Sequence, residues 1–452
     1  MKSIDVKISG RGLYGSSGKN VSDFFTGLKR GESSIKLIEN WKHLPIRMAS
    51  ILQNQDFTEE EIKVVQSDIG IKRSLMIQKA LYEALNSAGM WSGEPWNVKP
   101  YLELVADEEF SSHIRGLPQR VGVFLGVGVY PTSETLVQKI MSFGQDRGWD
   151  YFGQSDYKEV YLNALQDLSA NLSFSELELN SLNFEQCAGS ALIRHLLGSK
   201  TFGPDITISN LCVSSMQAIG QAYRALQAGT IDLAVVGGIE EYSFLSSFSF
   251  ASLGAYSDVN LVEEASRPFD KKRQGLVLGE GCGLIILEKN ATLKARNHYA
   301  LAEVKGYAGS NNRFHMTSSP STGEGLQRAI SECWDMAGNP EIDLVIAHGT
   351  GTLNNDSSET KAIQMTQLGF PLVQSIKSYT GHTLASAGIY NVIAGLVQQE
   401  NSFFSHTLHL DEPDSTCYLN HIQKGGLTFQ ADTMILNAAG FGGMNACLLI
   451  KF

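Results

Sequence analysis

Short apolar runs that end in or beside glycine constrain the fold of this chain more than any other feature. They lie at residues 121–126 (VGVFLG), 233–238 (LAVVGG) and 344–347 (LVIA). Their apolarity is continuous rather than alternating, which is typical of strands that are covered on both faces. Between them apolar residues recur with the helical period, at 216–226 and more strictly at 389–397. Buried strands that alternate with helices predict an α/β protein.

Two parts of the chain show similar sequence patterns. Residues 209–212 (SNLC) lead into a helix of small residues, and residues 378–382 (SYTGH) do the same. The run at 232–238 is matched in the same way with the run at 343–349. These echoes predict an internal duplication with a period far too long for a solenoid.

The duplication predicts a division of the chain near residue 260. The N-terminal half, 1–260, carries the most informative cysteine, Cys212, and the C-terminal half, 261–452, carries the most informative histidines. The stretch at about 140–185 is predicted to be an insertion that covers one face of the first half.

Composition narrows the class of partner and the compartment. The 452 residues include 36 Lys and Arg against 47 Asp and Glu, a net charge of −11, which argues against nucleic acid or an anionic membrane as the main partner. The six cysteines form no CxxC pair, so we expect reduced thiols. The chain also lacks a signal-peptide pattern and any apolar run near the roughly 18 residues needed to cross a bilayer. We therefore expect a soluble, cytoplasmic protein without membrane insertion.

Cys212 lies between a predicted strand, 206–209, and a helix that is predicted to begin near Val213. A thiol at a helix N-terminus feels the positive end of the helix dipole, which favours the thiolate. The backbone N–H groups at that place can also stabilise an oxyanion. The alternative is that Cys212 is a small buried hydrophobic residue.

Two histidines occupy comparable places at strand ends. His348 follows the apolar run at 344–347, and His382 lies in a predicted strand-to-helix turn. The carboxyl ends of strands are where α/β folds place their chemistry, so a site formed by Cys212, His348 and His382 is predicted. Asp356 and Glu359 share a predicted helix face beyond His348, where they either face solvent or orient a histidine or Lys377.

Two patterns that could indicate a cofactor are weak. The spacing of Cys212, His348 and His382 matches no known metal motif, so no metal is expected. Residues 10–15 (GRGLYG) match GxGxxG, but no second strand with an acidic end follows at the distance that a dinucleotide site needs. We predict a turn at that motif.

Five blocks, in order along the chain, resemble the β-ketoacyl-[acyl-carrier-protein] synthases, the elongating condensing enzymes of the thiolase superfamily. The blocks are 210–215 (NLCVSS), 267–283 (RPFDKKRQGLVLGEGCG), 348–359 (HGTGTLNNDSSE), 377–382 (KSYTGH) and 440–446 (GFGGMNA). The resemblance covers most of the chain from about residue 70 onward. It implies a thiolase-like fold, in which duplicated α/β halves form αβαβα layers.

The resemblance also implies a reaction. Cys212 would attack an acyl thioester and carry the acyl group, while the N–H groups of Cys212 and Phe441 form the oxyanion hole. His348 and His382 would stabilise the charge that develops when a malonyl extender loses CO2, and Lys377 completes the catalytic set. Phe441 would also gate the site. This is a decarboxylative Claisen condensation with malonyl carrier protein, and it needs no metal or redox cofactor.

The chain departs from the family pattern at several positions. Leu211 stands where alanine usually precedes the cysteine, and Leu276 and Cys282 replace a phenylalanine and an alanine. Asn391 stands where a glutamate often pairs with the lysine, so the charge partner of Lys377 is open, with Glu359 as one alternative. Asp356, Glu359 and Asn391 are expected to surround the catalytic residues. The departures indicate a divergent member and leave open whether the pathway makes fatty acids or polyketide- or polyene-like chains.

Two rival functions remain open. One is a non-catalytic partner like the chain-length factors, which resemble synthases but typically lack the cysteine. The other is a thiolase-like enzyme that uses coenzyme A thioesters without decarboxylation. The presence of Cys212, His348, Lys377 and His382 favours catalysis over the first rival, and the two histidines favour decarboxylative condensation over the second.

The resemblance implies an acyl carrier protein as partner, with the substrates held on its phosphopantetheine. A carrier of this kind is acidic, and binding it calls for a local basic patch. The candidates for that patch are Lys72, Arg73, Arg115 and Arg120. Either a homodimer or a heterodimer with a related subunit is expected.

Overall fold

The computed structural model describes residues 4–38, 46–67, 72–100, 103–104, 108–128 and 188–452. The insertion predicted at about 140–185 lies outside these residues. The strands are β1 (Val6–Gly15), β2 (Lys36–Leu37), β3 (Met48–Ala49), β4 (Val121–Val127), β5 (Asp205–Ile208), β6 (Leu233–Glu240), β7 (Gly281–Lys289), β8 (Ala302–Asn311), β9 (Leu344–Ile346), β10 (Leu372–Gln374), β11 (Asn420–His421), β12 (Thr433–Gly440) and β13 (Met444–Lys451).

The helices alternate with these strands, as the apolar periodicity predicts. They are α1 (Val21–Arg30), α2 (Glu59–Ser67), α3 (Arg73–Ser87), α4 (Glu109–Ser112), α5 (Ala188–Leu197), α6 (Ser214–Gln227), α7 (Phe244–Ser252), α8 (Val262–Ala265), α9 (Asn290–Ala295), α10 (Glu324–Met336), α11 (Leu353–Thr366), α12 (Lys377–Thr380) and α13 (Ala387–Glu400). None of those within the described ranges is long and apolar enough to span a bilayer.

Eleven strands form one mixed sheet in the order β11-β10-β9-β12-β13-β8-β1-β7-β6-β4-β5. Apart from β11, which extends one edge, the order is symmetric about the junction of β1 and β8. Outward from that junction, one arm reads β1, β7, β6, β4 and β5, and the other reads β8, β13, β12, β9 and β10. The two arms repeat the same pattern of antiparallel inner pairs and parallel outer pairs.

This symmetry corrects two details of the predicted duplication. Strand β7 pairs with β6 and with β1 over most of its length, so it belongs to the first arm. The division predicted near residue 260 therefore moves to between Lys289 and Ala302. Strand β6 occupies the place of β12 in the second arm, and β4 that of β9. The run at 232–238 is thus not the counterpart of the run at 343–349, because apolar content alone does not reveal a strand's place in the sheet.

Helices lie between the two arms and on both outer faces. Helix α13 is buried from Ala387 to Gln398, as a helix enclosed on all sides must be, and it packs with α6 in the central core. Successive residues of β6 alternate between cores, since Ala234 faces the central one and Val235 faces the outer core beside α3. Helices α10 and α11 cover the outer face of the second arm. The result is the predicted αβαβα layering.

The GxGxxG motif lies within β1 rather than in a turn, so that prediction was wrong. A Cβ atom on Gly12 would lie 2.1 Å from the carbonyl oxygen of Ala80 in α3, and one on Gly10 would lie 2.3 Å from that of Ala84. The two glycines let α3 approach the strand backbone more closely than any side chain would permit. Their role is helix-to-sheet packing.

We expect Gly12→Ala to lower the free energy of unfolding by about 1–3 kcal/mol, because α3 must move away from β1. As a control, Gly27→Ala in α1 would place its Cβ 3.8 Å from the nearest atom, the carbonyl oxygen of Glu32. It should raise stability by about 0.5–1 kcal/mol through helix propensity. Urea unfolding followed by circular dichroism measures both effects. A Gly12→Ala variant as stable as the wild type would contradict the packing role.

Candidate active site

The strand and helix predicted around Cys212 are present. Strand β5 ends at Ile208, a 3₁₀ turn covers Leu211–Val213, and α6 begins at Ser214. Leu211 has a left-handed backbone with φ 53°, and the Ser214 hydroxyl donates to its carbonyl oxygen at 2.6 Å. This sharp turn places Cys212 at the base of α6, where only 6% of its surface is exposed.

The second arm builds the same turn at the corresponding place. Leu384 also has positive φ, 37°, and the 3₁₀ turn Leu384–Ser386 leads into α13. Ala385 then stands where Cys212 stands in the first arm. The duplicated fold therefore contains two 3₁₀ turns of this kind, each at the start of a central helix, and we call them the first and second elbows. The first elbow carries the Cys212 thiol, and the second carries Ala385.

The two predicted histidines meet beside this thiol. His348 follows β9 and His382 follows α12, and their ring centroids lie 5.1 Å apart with the rings nearly perpendicular. Both line one cavity of about 260 Å³ together with Cys212 and Phe441. The structure thus brings together four of the residues that the sequence singled out from separate motifs.

Both imidazoles are neutral at physiological pH. Burial lowers the pKa of His348 well below its usual value, and the nearby charge of Lys377 and the neighbouring His382 lower it further. Burial followed by the Lys377 charge lowers the pKa of His382 in the same way. A neutral imidazole can donate one N–H to a substrate oxygen without first losing a proton.

Burial opposes the ionisation of the Cys212 thiol that the helix dipole favours. Burial raises its pKa to about 12, and the Glu240 carboxylate acts in the same direction. The Lys377 ammonium opposes both effects. Loss of hydration outweighs the favourable position at the start of α6.

Lys377 lies between the histidine loop and the cysteine. Its Nζ donates to the carbonyl oxygen of His348, and burial lowers its pKa to about 8. The Glu359 carboxylate is the largest charge that opposes this shift. Among the described residues Lys377 forms no ion pair with Glu359, so Glu359 acts on it only as a nearby charge, and its place as the charge partner of Lys377 stays a prediction.

Glu359 and Asp356 face inward from α11 and hold the loop that carries His348. The Glu359 carboxylate accepts the N–H of His348 at 2.8 Å and that of Gly349 at 2.7 Å. Asp356 accepts the N–H of Thr350 at 2.9 Å. Both carboxyl groups are fully buried, so the solvent-facing alternative is excluded.

Asn391 lies beneath the same loop. Its side-chain amide donates to the carbonyl oxygen of Asn437 at 3.2 Å and, more weakly, to that of Ala347 at 3.4 Å. Asn437 in turn donates to Glu359 at 3.1 Å. Asn391 thus supports the backbone next to His348 and carries no charge. The negative charge near Lys377 comes from Glu359 on α11.

The backbone of Gly440 and Phe441 lies against Cys212. A Cβ on Gly440 would be 3.5 Å from the Cys212 nitrogen, so the two main chains nearly touch. Phe441 begins a 3₁₀ turn that ends at Gly443, and its ring packs on Phe250 with centroids 5.3 Å apart. Phe441 therefore lies beside Cys212 at the cavity. An oxyanion hole formed by the two N–H groups stays a prediction.

Two of the predicted carrier-binding residues expose little of their side chains, since Arg73 is buried and 19% of the Lys72 side chain is exposed. Lys72 binds the buried carboxylate of Glu280 at 2.7 Å, and Arg73 is only 8% exposed. Buried carboxylates need buried cations, and sequence alone does not reveal this need. Arg115 and Arg120 are exposed, but neither lines the cavity, and Arg120 pairs with Asp232 at 2.6 Å.

Polar side chains that no sequence motif predicted also line the cavity. Their hydroxyl and amide groups come from Gln274, Thr317, Ser318, Ser319, Thr350, Thr352, Asn354 and Asn355. Thr350 and Thr352 belong to the HGTGT block and could have been predicted from it, whereas residues 317–319 follow β8 without a recognisable pattern. Among the described residues, no cluster of three or more His, Cys, Asp or Glu side chains fits a metal ion.

Comparison with known proteins gives consistent matches. Residues 98–292 match the profile of the β-ketoacyl synthase N-terminal domain, and residues 301–411 match that of the C-terminal domain. The 3-oxoacyl-[acyl-carrier-protein] synthase 2 of Staphylococcus aureus is 32% identical over 261 residues, which is 56% of this chain and 64% of that protein. The match thus spans less than two thirds of the curated relative.

Solved structures match over nearly the whole chain. A β-ketoacyl synthase from Burkholderia phymatum has a TM-score of 0.76 at 24% identity, with 99% of each chain covered. A type II polyketide synthase complex, described as an acyl carrier protein with its ketosynthase bound to the hexaketide, gives a TM-score of 0.73 at 23% identity and covers 100% of this chain and 99% of the other. At these identities the likeness establishes the thiolase-like ketosynthase fold.

The coupling of Cys212 to Lys377 predicts the pH dependence of thiol alkylation. Because the pKa of Cys212 is about 12, its reaction with iodoacetamide should accelerate about tenfold per pH unit below pH 8. The rise of the alkylation rate with pH should become less steep near pH 8. Lys377 loses its proton there, and with it the positive charge that favours the Cys212 thiolate. Lys377→Ala should remove this bend and slow alkylation below pH 8. A plateau beginning below pH 7 would contradict the account.

We expect Glu359→Gln to disrupt the histidine loop while leaving the thiol reactive. One of the two backbone N–H groups would then face an amide N–H instead of an oxygen, at a cost of about 1–3 kcal/mol. Loss of CO2 from a malonyl thioester, the step that the family resemblance assigns to His348 and His382, should fall at least about tenfold, which corresponds to about 1.4 kcal/mol, while iodoacetamide still modifies Cys212. Glu332→Gln, at an exposed position on α10, is the matched control. Equal activities of the two variants would refute the positioning role of Glu359.

Proposed function

Because this chain belongs to the β-ketoacyl synthase family, we propose that it catalyses the decarboxylative condensation of an acyl thioester with a malonyl thioester in fatty acid or polyketide chain elongation. Both thioesters would be carried by an acyl carrier protein. The observation that carries the proposal is that Cys212, His348, His382 and Phe441 line one cavity. Nucleophile, oxyanion donors and two neutral N–H donors are the groups that this reaction needs.

The first step loads the enzyme. The Cys212 sulfur bonds to the acyl carbonyl carbon, and the thioester bond to the carrier breaks as its thiol leaves with the proton from Cys212. The tetrahedral intermediate has its negative oxygen beside the N–H groups of Cys212 and Phe441. Lys377 assists this step because its charge favours ionisation of a thiol that burial otherwise keeps protonated.

The second step generates the carbon nucleophile. The malonyl carbon–carbon bond breaks and CO2 leaves, while the electron pair moves onto the thioester carbonyl oxygen as an enolate. Two N–H donors from His348 and His382 stabilise that oxygen, and both rings are held neutral by burial. A protonated imidazole is not required, so the step proceeds at neutral pH.

The third step joins the two chains. The enolate carbon attacks the acyl carbonyl on Cys212, a carbon–carbon bond forms, and the carbon–sulfur bond breaks. The Cys212 thiolate that leaves takes up one proton from water, and the β-ketoacyl chain remains on the carrier that brought the malonyl group. The same N–H pair of Cys212 and Phe441 serves this second tetrahedral intermediate.

Two rival functions use the same fold. A silent chain-length-factor-like partner would not need a thiol in the first elbow, a neutral histidine pair and a lysine near both. A thiolase-like enzyme using coenzyme A thioesters needs no pair of donors on a carboxylated substrate. The shared cavity of Cys212 with two histidines supports decarboxylative condensation over both rivals.

The proposal includes a dimer, formed with a second copy or with a related subunit. Strand β5 is the last strand of the sheet in the described part of the chain, so its outer edge offers unpaired backbone groups. Around it Phe202 is 59% exposed, Ile206 38% and Leu211 43%. A dimer across β5 would cover both features. A cytoplasmic location is also proposed, and the five unpaired cysteines of the described residues support it.

Cys212→Gln tests the division of labour within the site. This variant should lose condensation entirely but keep release of CO2 from malonyl carrier protein, because His348 and His382 perform that step. His348→Ala in the same background should abolish the release. The measurement is ¹⁴CO2 from carboxyl-labelled malonyl carrier protein. A wild-type protein that releases no CO2 and condenses nothing would favour the silent-partner function.

A further inference from the structure

The two elbows begin helices that pack against each other in the central core. Just as Ala385 occupies the place of Cys212, Gly388 on α13 occupies the place of Ser215 on α6. A Cβ on Gly388 would lie 3.0 Å from the Ser215 Oγ and 2.9 Å from the Met216 nitrogen. The glycine in the second arm therefore leaves space for the first turn of α6.

Two further glycines bring the start of α6 against the sheet. A Cβ on Gly126 in β4 would lie 2.4 Å from the Ser215 nitrogen, and one on Gly238 in β6 would lie 2.7 Å from the Ser215 Cβ. The Cβ on Gly238 would also lie 3.0 Å from the carbonyl oxygen of Ala385. Ser215 is fully buried and lies where two strands and the second elbow meet.

The Ser215 hydroxyl caps the helix of the other arm. Its Oγ accepts the N–H of Ile389, in the first turn of α13, at 3.1 Å. A helix is ordinarily capped by the residue that precedes it, which here is Ser386, but that hydroxyl donates to the carbonyl oxygen of Thr383 at 3.0 Å instead. A buried first-turn N–H without an acceptor is costly, so Ser215 supplies a contact that α13 lacks within its own arm.

Glu240, the last residue of β6, holds the second elbow from another side. Its Oε2 accepts the N–H of Ala385 at 3.0 Å, and only 2% of the residue is exposed. Glu240 and Ser215 both belong to the first arm, whereas Ala385 and Ile389 belong to the second. Two side chains of the first arm thus accept N–H groups of the second elbow and of the helix that follows it.

We propose that Ser215 is a positioning residue that fixes the distance between Cys212 and His382. The inference rests on the proposed function. Cys212 lies three residues before Ser215, and His382 lies seven residues before Ile389, so the bond between Ser215 and Ile389 joins the turn of the nucleophile to the turn of a donor. The third step of the reaction needs both turns at once. The enolate oxygen stays at the histidines while its carbon attacks the acyl group on Cys212.

Ser215→Ala tests the role, because it removes the hydroxyl and keeps the Cβ. We expect loading of Cys212 and release of CO2 from malonyl carrier protein to stay within about twofold of wild type, since each of these steps needs only one of the two turns. Formation of the β-ketoacyl product should fall at least about tenfold, because a displacement of about 1 Å can cost up to about a hundredfold in rate.

The readout is the ratio of CO2 released to β-ketoacyl product formed, measured with carboxyl-labelled malonyl carrier protein and mass spectrometry of the products. An enolate that does not reach the acyl group takes a proton from water and leaves as acetyl carrier protein. The ratio should therefore rise from about one in the wild type to at least about five in Ser215→Ala.

Ser405→Ala is the matched control, because it removes a comparably buried hydroxyl from the other end of α13. The Ser405 Oγ donates to Oε1 of Gln398 at 2.9 Å. This variant should keep the wild-type ratio of CO2 to product, even where it unfolds at a lower urea concentration. A control variant whose ratio rises as much as that of Ser215→Ala would overturn the inference.

Two further outcomes would also overturn it. One is a wild-type ratio in Ser215→Ala. Another is a parallel loss of loading, CO2 release and condensation, which a general loss of folded protein would produce. With an active wild type, these outcomes refute the role of Ser215 and leave the proposed function standing. A wild-type protein that neither accepts an acyl group nor releases CO2 refutes the proposed function, and this inference with it.

Discussion

The buried carboxylate of Glu359 is the interaction on which the site depends. It accepts the N–H groups of His348 and Gly349 and supplies the largest negative charge acting on Lys377, while the ammonium of Lys377 donates to the carbonyl oxygen of His348. An isolated charge in this interior would cost several kcal/mol. Together the carboxylate, the two N–H groups and the lysine compensate for that cost, and they fix the backbone from which one of the two imidazoles projects.

The same lysine acts in opposite senses on its neighbours. Its positive charge helps to keep both histidines neutral, whereas it favours ionisation of Cys212. A condensing site needs this combination, because it requires a reactive sulfur in the first step and neutral N–H donors in the second. Burial without the lysine would also keep the histidines neutral but would leave the thiol less reactive. The position of one cation therefore reconciles two demands that burial alone cannot meet.

The sequence could predict the site because its residues lie directly after strands. Apolar runs mark strands buried on both faces, and strand ends in an α/β sheet converge, so Cys212, His348 and His382 could be placed together without coordinates. The inward direction of Asp356 and Glu359 was not predictable, since a three-residue spacing places two side chains on one helix face without saying which way that face points.

Other features depend on contacts that are distant in sequence. The division between the halves follows from the pairing of β7 with β6 and β1. The apolar pattern of a strand does not predict which strands it pairs with. Gly10 and Gly12 look like a turn, but they are required by the approach of α3. Lys72 was predicted to belong to a basic patch for the carrier protein, whereas its ammonium group pairs with the buried carboxylate of Glu280 and only 19% of its side chain is exposed. The neutral Asn391 became interpretable only when its carbonyl acceptors were known.

The most direct test of the account is the intact mass of the protein after incubation with a panel of acyl carrier protein thioesters. The account predicts a mass gain of one acyl group, located on Cys212 by peptide mapping and absent in Cys212→Ala. The acyl chain that loads fastest would also indicate the pathway. An unmodified protein, even with its natural carrier and dimer partner present, would contradict the catalytic account and leave a silent subunit as the function of this fold.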